Sequence, residues 1–348
     1  MIQFFKDVNI DWLGKRRIFI AISVTLMLAG LASAMYRQTF HPHGTEAFNL
    51  GVDFKGGTVL TVKFQQRPDP DQIRAAISQA GVREAIIQPV LDKSDEVLIK
   101  LPLQEASEPA GIEDKAQVDV GRTRVAQALK SFGEENAQIV GTDAVGAVAG
   151  QQLRTQAVAV TLAALVGMLL FIAFRFEWTY GAAAVIAVFH TVLITLGIFS
   201  IFQIEVNLTV IAGLLTLVGF SVNDSIVVFD RIRENLRLHR RTSLYAITNL
   251  SINQTLSRTV ITSGLVFLSV LAMVLFGGET LRPFSLALLI GIVVGTYDSI
   301  AIASPIMVWW QQRLGAGGSS APANKKGEVL PLARAQAQAS GNRKIKSG

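Results

Sequence analysis

An acidic side chain, Asp224, lies inside an apolar run that covers residues 208–229. At about 1.5 Å per residue, a helix over this run would be long enough to cross a bilayer core of about 30 Å. A charge at that depth costs at least about 2.5 kcal/mol on insertion scales, so such a group usually faces a protein interior or a wet cavity and has a function. Asn223 adds a second polar group beside it. We therefore predict an intramembrane functional site at Asp224; the alternative is a side chain that reaches the membrane surface.

Two adjacent glycines, Gly56 and Gly57, follow an acidic residue, Asp53, at the start of a β-strand pattern. Glycine permits positive φ angles and close backbone approach. A phosphate-binding loop is one interpretation, but no helix with a Gly-Lys-Ser/Thr pattern follows, which argues against nucleotide binding. We interpret the pair as a turn or hinge between a soluble domain and the membrane part, and we predict neither a cofactor nor a metal site.

The composition favours a membrane protein, because 50% of the 348 residues are hydrophobic and only 17% are charged. The absence of cysteine excludes disulfide bonds. The first apolar run follows Lys15, Arg16 and Arg17 and resembles a cleavable signal sequence, but its length and the later spans favour an uncleaved helix. Six apolar runs have the length of membrane-spanning helices, namely 18–35, 157–174, 180–202, 208–229, 260–276 and 284–310.

Basic residues beside the spans indicate the orientation, since cytoplasmic loops are enriched in Lys and Arg. They cluster in residues 1–17, in an amphipathic loop at 231–257 and in a low-complexity tail at 311–348, whereas residues 37–150 are mildly acidic. We therefore predict cytoplasmic termini, a disordered cytoplasmic tail and a periplasmic domain at 37–150. We expect apolar side chains of the loop, such as Ile247, to lie at the membrane interface. The net charge of +6 then reflects membrane topology and does not indicate nucleic-acid binding.

The 37–150 segment has the pattern of a small α+β domain. Its first strand alternates so that Leu60, Val62 and Phe64 share one face. The order βαββαβ is that of a ferredoxin-like sandwich, a fold that alone says little about function. The predicted architecture is a polytopic α-helical membrane protein with a first helix at 18–36, this domain, and a five-helix bundle at 151–310. Within the domain we expect strands at 57–64, 84–90, 96–101 and 137–142, and helices at 71–80 and 113–132.

Five motifs occur in order along nearly the whole chain outside the tail. They are LGVDFKGGT at 50–58, VGFSVNDSIVVFDRIREN at 218–235, NQTLSRTVITSG at 253–264, FGG at 276–278 and FSLALLIGIVVGTYDSI at 284–300. Together they resemble the SecD/SecF family of bacterial protein-export membrane proteins, and their joint occurrence makes the resemblance to its SecF branch specific. That branch forms one six-span half of an assembly like those of the resistance-nodulation-division superfamily.

The resemblance, and not the composition, implies a function and partners. Family members pair with SecD, associate with the SecYEG channel and use the proton-motive force to assist late preprotein movement across the inner membrane. YajC and YidC are further candidate partners, and the preprotein and the lipid bilayer are the other expected contacts.

The resemblance also implies roles for individual residues. Asp224 matches the family's essential intramembrane carboxylate, and Arg258 matches an arginine that pairs with it in one protonation state. Proton uptake by Asp224 would release this pairing, and Asn223 belongs to the same motif. From the sequence alone, Arg258 is equally well explained as a cytoplasmic anchor before the next span.

The chain departs from the family pattern in two of its spans. Many members carry His-Asp in the third span, whereas this chain has His190 and Thr191, and Asp298 stands where a small hydroxyl residue is usual. An Asp in so apolar a run should need a partner. We therefore predict that Thr191 and Asp298 face each other between the third and sixth spans, with a polar or proton-relay role for Asp298 near His190. The alternative is an Asp that lines a wet crevice and couples to nothing.

Two other functions use the same sequence features. A stand-alone proton-coupled transporter of a small molecule or lipid would also need Asp224, but such a pump is expected to have two repeats and large outer domains. If the protein were a purely structural scaffold, Asp224 would have no functional role. We predict no catalytic chemistry.

Overall fold

The computed structural model describes residues 9–42, 45–82, 85–90, 93–102, 114–133, 136–175 and 177–314. Most of the tail predicted at 311–348 and the first part of the predicted amino end lie outside these residues. The elements in chain order are α1 (Arg16–Phe40), α2 (Val52–Lys55), β1 (Gly57–Phe64), α3 (Pro70–Gln79), β2 (Ile86–Pro89), β3 (Glu96–Pro102), α4 (Asp114–Leu129), β4 (Ala137–Val145), α5 (Ala147–Arg175), α6 (Trp178–Phe202), α7 (Leu208–Leu238), α8 (Leu244–Phe276), α9 (Gly278–Asp298) and α10 (Ser304–Arg313). A 3₁₀ turn, Lys130–Phe132, follows α4, and a π-helical turn, Ser299–Ala303, joins α9 to α10.

Six helical segments among the described residues are long and apolar enough to cross a membrane. They are α1, α5, α6, α7, α8 and the continuous segment made of α9, the π-helical turn and α10. Each coincides with one predicted span, so the six-span prediction is confirmed. The helices α7 and α8 extend beyond their apolar runs, because residues with adequate helix propensity continue both of them.

The four strands form one antiparallel sheet in the order β2-β3-β1-β4. Leu60, Val62 and Phe64 of β1 are fully buried on one face, as their alternation predicts. Ile73 of α3 and Val125 of α4 join the same apolar cluster, so both helices cover this face. The strand order and the βαββαβ succession are those of a ferredoxin-like sandwich, and the α+β prediction is confirmed.

The amphipathic loop predicted at 231–257 consists mainly of helix. The helix α7 continues to Leu238, α8 begins at Leu244, and Ser243 accepts a hydrogen bond from the N–H of Ala246 as the N-cap of α8. Ile247 is fully buried in the main apolar cluster, so its predicted position at the membrane interface is wrong. The two helix ends pack on each other and cover Ile247 with protein.

The amino-terminal residues lie against the first turns of α8. Asn253 accepts hydrogen bonds from the N–H of Ile10 and the indole N–H of Trp12, and its amide donates to the carbonyl of Ile10. One turn earlier, Asn249 accepts from the N–H of Leu13 and donates to Asp11. Two asparagines spaced by one helical turn therefore bind the backbone that precedes α1.

Small residues let the membrane helices approach closely. A Cβ at Gly30 of α1 would lie 2.5 Å from the Cα of Gly197 in α6. In α9, Gly291 and Gly295 form a Gly-x-x-x-Gly pair that packs on α7, where a Cβ at Gly295 would lie 3.1 Å from Ser221 Oγ. Such pairs allow backbones to pack in lipid, where apolar burial alone gives little driving force between helices.

The glycine pair adopts the backbone conformation that its sequence predicts. Gly56 and Gly57 have φ angles of 77° and 141°, and a Cβ at Gly57 would collide with the carbonyl oxygen of Leu101. The short helix α2, which the sequence pattern did not indicate, ends at this pair. The hinge role of the two glycines stays a prediction.

Candidate functional site

Asp224 lies on the buried face of α7 and is 3% exposed. Ser263 of α8 donates a hydrogen bond from Oγ to Oδ2 of Asp224 at 3.0 Å. The buried residues of α7 recur every three to four positions, which places Asp224 on the side that faces the neighbouring helices. The structure therefore places the predicted carboxylate in the bundle interior, with a neutral hydroxyl as its donor.

Two further hydroxyl groups share this face of α7. Ser221 lies about one turn before Asp224 and Ser225 lies beside it; both are buried. Neither Oγ has a hydrogen-bond partner within the described part of the chain. Gly295 of α9 packs against Ser221. Buried hydroxyls in an apolar bundle normally bind a protein group or water, so this strip offers hydrogen-bonding positions along α7.

A second buried carboxylate joins α6 to α9. The Oδ2 atom of Asp298 accepts a hydrogen bond from Thr191 Oγ1 at 2.5 Å and lies 2.9 Å from Nδ1 of His190. Asp298 has 0% exposure and His190 has 8%. The contact predicted between Thr191 and Asp298 is therefore present, and His190 completes it; the relay role stays a prediction.

Polar atoms remain available at this second carboxylate. Among the described residues, Nε2 of His190 and Oδ1 of Asp298 are buried without a hydrogen-bond partner. The hydroxyl of Thr191 also lies 3.1 Å from the carbonyl of Ala187, and its single proton can serve only one of the two acceptors at a time. The cluster thus has both a donor that can switch and atoms that can accept a further hydrogen bond.

The π-helical turn begins directly after Asp298. Tyr297, the residue before Asp298, donates from its hydroxyl to the carbonyl of Phe19 in α1. It accepts a hydrogen bond from Ser23 Oγ at 3.3 Å. π-Helical turns inside α-helices occur frequently at functional sites. The sixth span is therefore irregular at the position where it contacts α6 and α1.

Among the described residues, neither Arg258 nor Asn223 forms a hydrogen bond or ion pair with Asp224. The Arg258 side chain is exposed on α8, and within the described ranges no ion pair joins it to a carboxylate. Asn223 is exposed on the outer face of α7. The structure thus shows a state in which Ser263 contacts Asp224, and the roles predicted for Arg258 and Asn223 stay predictions.

Sequence reasoning did not select Ser263, although it lies within the NQTLSRTVITSG motif. Hydroxyl residues in membrane helices often bond to a carbonyl one turn earlier, as Thr262 does to Arg258, so their presence is a weak signal of a site. Only the packing of α8 on α7 distinguishes Ser263 from its neighbours.

Two family models match the chain. Residues 45–66 match the SecD/SecF GG Motif, which contains Gly56 and Gly57, and residues 124–313 match the model described as Protein export membrane protein SecD/SecF, C-terminal. The chain belongs to the SecD/SecF family. The second match includes Asp224, so both predicted sites lie in segments that define the family.

Relatives named SecF align with most of this chain. The protein translocase subunit SecF of Koribacter versatilis is 40% identical, with 95% of this chain and 99% of the relative covered. SecF of Escherichia coli O157:H7 is 41% identical, with 76% and 79% covered. The chain is therefore a multi-pass protein of the bacterial inner membrane and an accessory subunit of the Sec translocase.

A solved structure has the same fold. The crystal structure of SecDF from Thermus thermophilus, described as a translocon-associated membrane protein, has a TM-score of 0.72 and 36% sequence identity. The similarity covers 88% of this chain and 39% of that longer chain. The chain thus spans about two-fifths of the SecDF protein.

Proposed function

We propose that this chain pairs with SecD and uses the proton-motive force to assist late preprotein translocation across the inner membrane. The observation that carries the proposal is the position of Asp224, a carboxylate that is 3% exposed within a membrane helix and hydrogen-bonded to the Ser263 hydroxyl. A group that is costly to bury as an ion and lies in a proton gradient is suited to bind and release a proton.

The energy that one proton releases is comparable with the energy needed to break a buried ion pair. A proton that crosses roughly 150 mV releases about 3.5 kcal/mol, at about 2.3 kcal/mol per 100 mV. Loss of one partner from a buried ion pair costs a comparable amount, about 3–5 kcal/mol. Arg258 precedes Ser263 by five residues, or about 7.5 Å along α8. We infer that a shift of α8 along α7 exchanges Ser263 for Arg258 beside ionised Asp224, and that protonation restores the Ser263 contact.

The second carboxylate is proposed as a relay. His190 and Thr191 bind Asp298 on the neighbouring face of α9, and Ser221 lies between this cluster and Asp224 at the Gly295 contact. Hydrogen-bonding groups in that order would let a proton pass between the two carboxylates through bound water.

The relatives support two of the proposed partners. A pairing with SecD is supported by SecDF of Thermus thermophilus, in which a region similar to this chain is part of one longer protein. That protein is described as translocon-associated, which supports the SecYEG channel as a further partner. YajC, YidC, the preprotein and the lipid bilayer complete the proposed contacts. The proposed role is mechanical, with no catalytic chemistry and with both termini in the cytoplasm.

The test is preprotein export into inner-membrane vesicles, measured with and without an uncoupler. Asp224→Asn keeps the size of the side chain but cannot titrate, so we expect it to lose the stimulation by the proton-motive force while ATP-driven export remains. Asp230→Asn is the control, because Asp230 is exposed near the end of the same apolar run. Full stimulation in the Asp224 variant would refute the proposal.

A further inference from the structure

The beginning of α7 is attached to the segment that leads into the soluble domain. Oδ2 of Asp53, in α2, accepts a hydrogen bond from the N–H of Leu208, the first residue of α7, at 2.9 Å. Asn207, the N-cap, accepts from the N–H of Val210 at 3.1 Å. A carboxylate at this position satisfies a free donor of the helix and interacts favourably with its positive end.

The residues before α2 extend this attachment along the loop between α6 and α7. Leu50 and Val206 form a parallel bridge, in which the N–H of Gly51 donates to Val206 O and the N–H of Val206 donates to Asn49 O, both at 2.8 Å. The amide of Asn49 also donates to the carbonyl of Gln203 at 3.1 Å. The loop is therefore bound through backbone groups on both sides of the bridge.

An ion pair forms a second attachment, independent of the first in sequence. Lys100 of β3 pairs with Glu205 of the same loop, and their side chains are 16% and 21% exposed. Glu205 also lies against Gly51, where an added Cβ would come within 2.8 Å of Oε1. The sheet and the loop thus contact each other through β3 as well as through the chain that enters β1.

The other end of α2 leads into the centre of the sheet. Gly57 opens β1 and pairs with Pro102 of β3 and Val145 of β4. A Cβ at Gly150 of α5 would lie 3.1 Å from the N atom of Gly56, so α5 packs behind this turn. Only Phe54, Lys55 and Gly56 separate Asp53 from β1, one of the two central strands. The connection between the start of α7 and the sheet is therefore short.

We propose that Asp53 is a positioning residue that makes α7 and the β-sheet domain move as one body, with the Lys100–Glu205 pair as the second connection. This inference rests on the proposed function, because it assigns a path from proton binding at Asp224 to movement of the domain. Asp224 follows Leu208 by 16 residues, or about 24 Å along a rigid helix. A displacement of α7 is passed to β1 through Asp53, so in this inference Gly56 and Gly57 form a tight turn and not a hinge.

The first experiment compares Asp53→Ala with Asp69→Ala in the vesicle export assay, with and without an uncoupler. Asp69 is a matched control, since its carboxylate accepts from the N–H of Asp71 at the start of α3, wholly within the soluble domain. We expect Asp53→Ala to lose the stimulation by the proton-motive force, with export in the presence of uncoupler unchanged, and Asp69→Ala to retain it. An equal fractional loss with and without uncoupler would indicate a merely structural contact and overturn the inference.

Asp224→Asn, measured in parallel, separates this inference from the proposed function. If Asp224→Asn keeps the stimulation, the proposed function fails, whatever the Asp53 variant does. If Asp224→Asn loses the stimulation and Asp53→Ala keeps it, proton coupling holds and the positioning role of Asp53 is refuted.

The second experiment asks whether the attachment persists through the cycle. Strands that pair lie about 4.8 Å apart, within the range that a disulfide bridges. Because the chain has no cysteine, Leu50→Cys with Val206→Cys creates one cross-link without competitors. If the two segments move as one body, the oxidised protein keeps its full stimulation. Loss of stimulation that a reducing agent restores would show that the segments must separate, and would overturn the inference.

Discussion

The hydroxyl of Thr191 donates to the Asp298 carboxylate at 2.5 Å, which joins α6 to α9 inside the bundle. The family resemblance implies a carboxylate directly after the histidine in many members, whereas here the acidic residue, Asp298, belongs to the sixth span. The imidazole of His190 lies 2.9 Å from the same carboxylate oxygen. A His–carboxylate contact is therefore formed from the opposite helix, with Thr191 in the place of the usual acid.

This exchange can be tested with Asp298→Ser, Thr191→Asp and their combination. We expect Asp298→Ser to reduce proton-dependent export, because His190 loses its carboxylate, and the double variant to regain it. The measurement is a double-mutant cycle on the export rate, in which coupled positions deviate from additivity. Simple addition of the two effects would make the positions independent and end the relay proposal.

Gly57 should tolerate no side chain. A Cβ there would collide with Leu101 O at a φ of 141°, so Gly57→Val is expected to cost on the order of 1–3 kcal/mol from backbone strain, plus the clash. Gly121→Ala is the control, since a Cβ at this α4 position makes only an ordinary contact at 3.4 Å. The measurement is thermal unfolding of the purified protein together with export rate. Normal stability and export in Gly57→Val would reduce the pair to an ordinary turn.

The orientation proposed from basic residues predicts opposite labelling of two exposed positions. Ser94 lies in the turn before β3, and Arg240 lies between α7 and α8. A cysteine at position 94 should react with an impermeant reagent in spheroplasts, and one at position 240 only after the membrane is opened. Reaction of both from outside would contradict six spans with cytoplasmic termini.

The attachment of the amino-terminal residues to α8 should depend on Asn253. Asn253→Ala leaves the N–H of Ile10 and the indole of Trp12 without their acceptor, at a cost on the order of 1 kcal/mol. We expect faster proteolysis before α1, whereas Arg241→Ala, on the exposed turn, should change nothing. Equal cleavage rates in the two variants would show that the asparagine does not hold this segment.

The same attachment should weaken only in acid. Burial raises the pKa of the Asp11 carboxyl, but hydrogen bonds and a nearby charge outweigh this effect and lower its pKa below the usual value. Because the lowered pKa belongs to the folded state, the stabilisation is complete above about pH 4 and is lost as the pH falls further. The donors are the N–H of Gly14, the hydroxyl of Tyr245 and the amide of Asn249, and the charge is that of Arg16.

The sequence was sufficient where a repeating pattern determines the structure. The apolar runs predict six spans, and the alternation in β1 predicts which side chains are buried. The Thr191–Asp298 contact could also be predicted, because a lone carboxylate in a very apolar helix requires a partner and the family pattern indicated where to look.

Contacts set by helix packing could not be predicted in this way. Ser263 contacts Asp224 because of the relative rotation of α8 and α7, which no local pattern specifies. The N–H that Asp53 binds is 155 positions away in the chain, so the sequence around the glycine pair does not indicate this contact. The prediction for Ile247 is wrong because amphipathicity identifies an apolar face without identifying what covers it.

The close crossing of Gly30 and Gly197 has a consequence for biogenesis. Ser33 and Ser200 flank the same crossing, 167 residues apart in the chain, with their Oγ atoms 3.4 Å apart. At about 5–20 residues per second of synthesis, α1 waits about 10–30 s in the bilayer before α6 emerges. The first helix must therefore be stable alone in lipid. Its composition is apolar, and only 11% of its apolar segment is buried in the folded protein. A bulky residue at Gly30 would thus leave insertion intact and stop the protein at assembly.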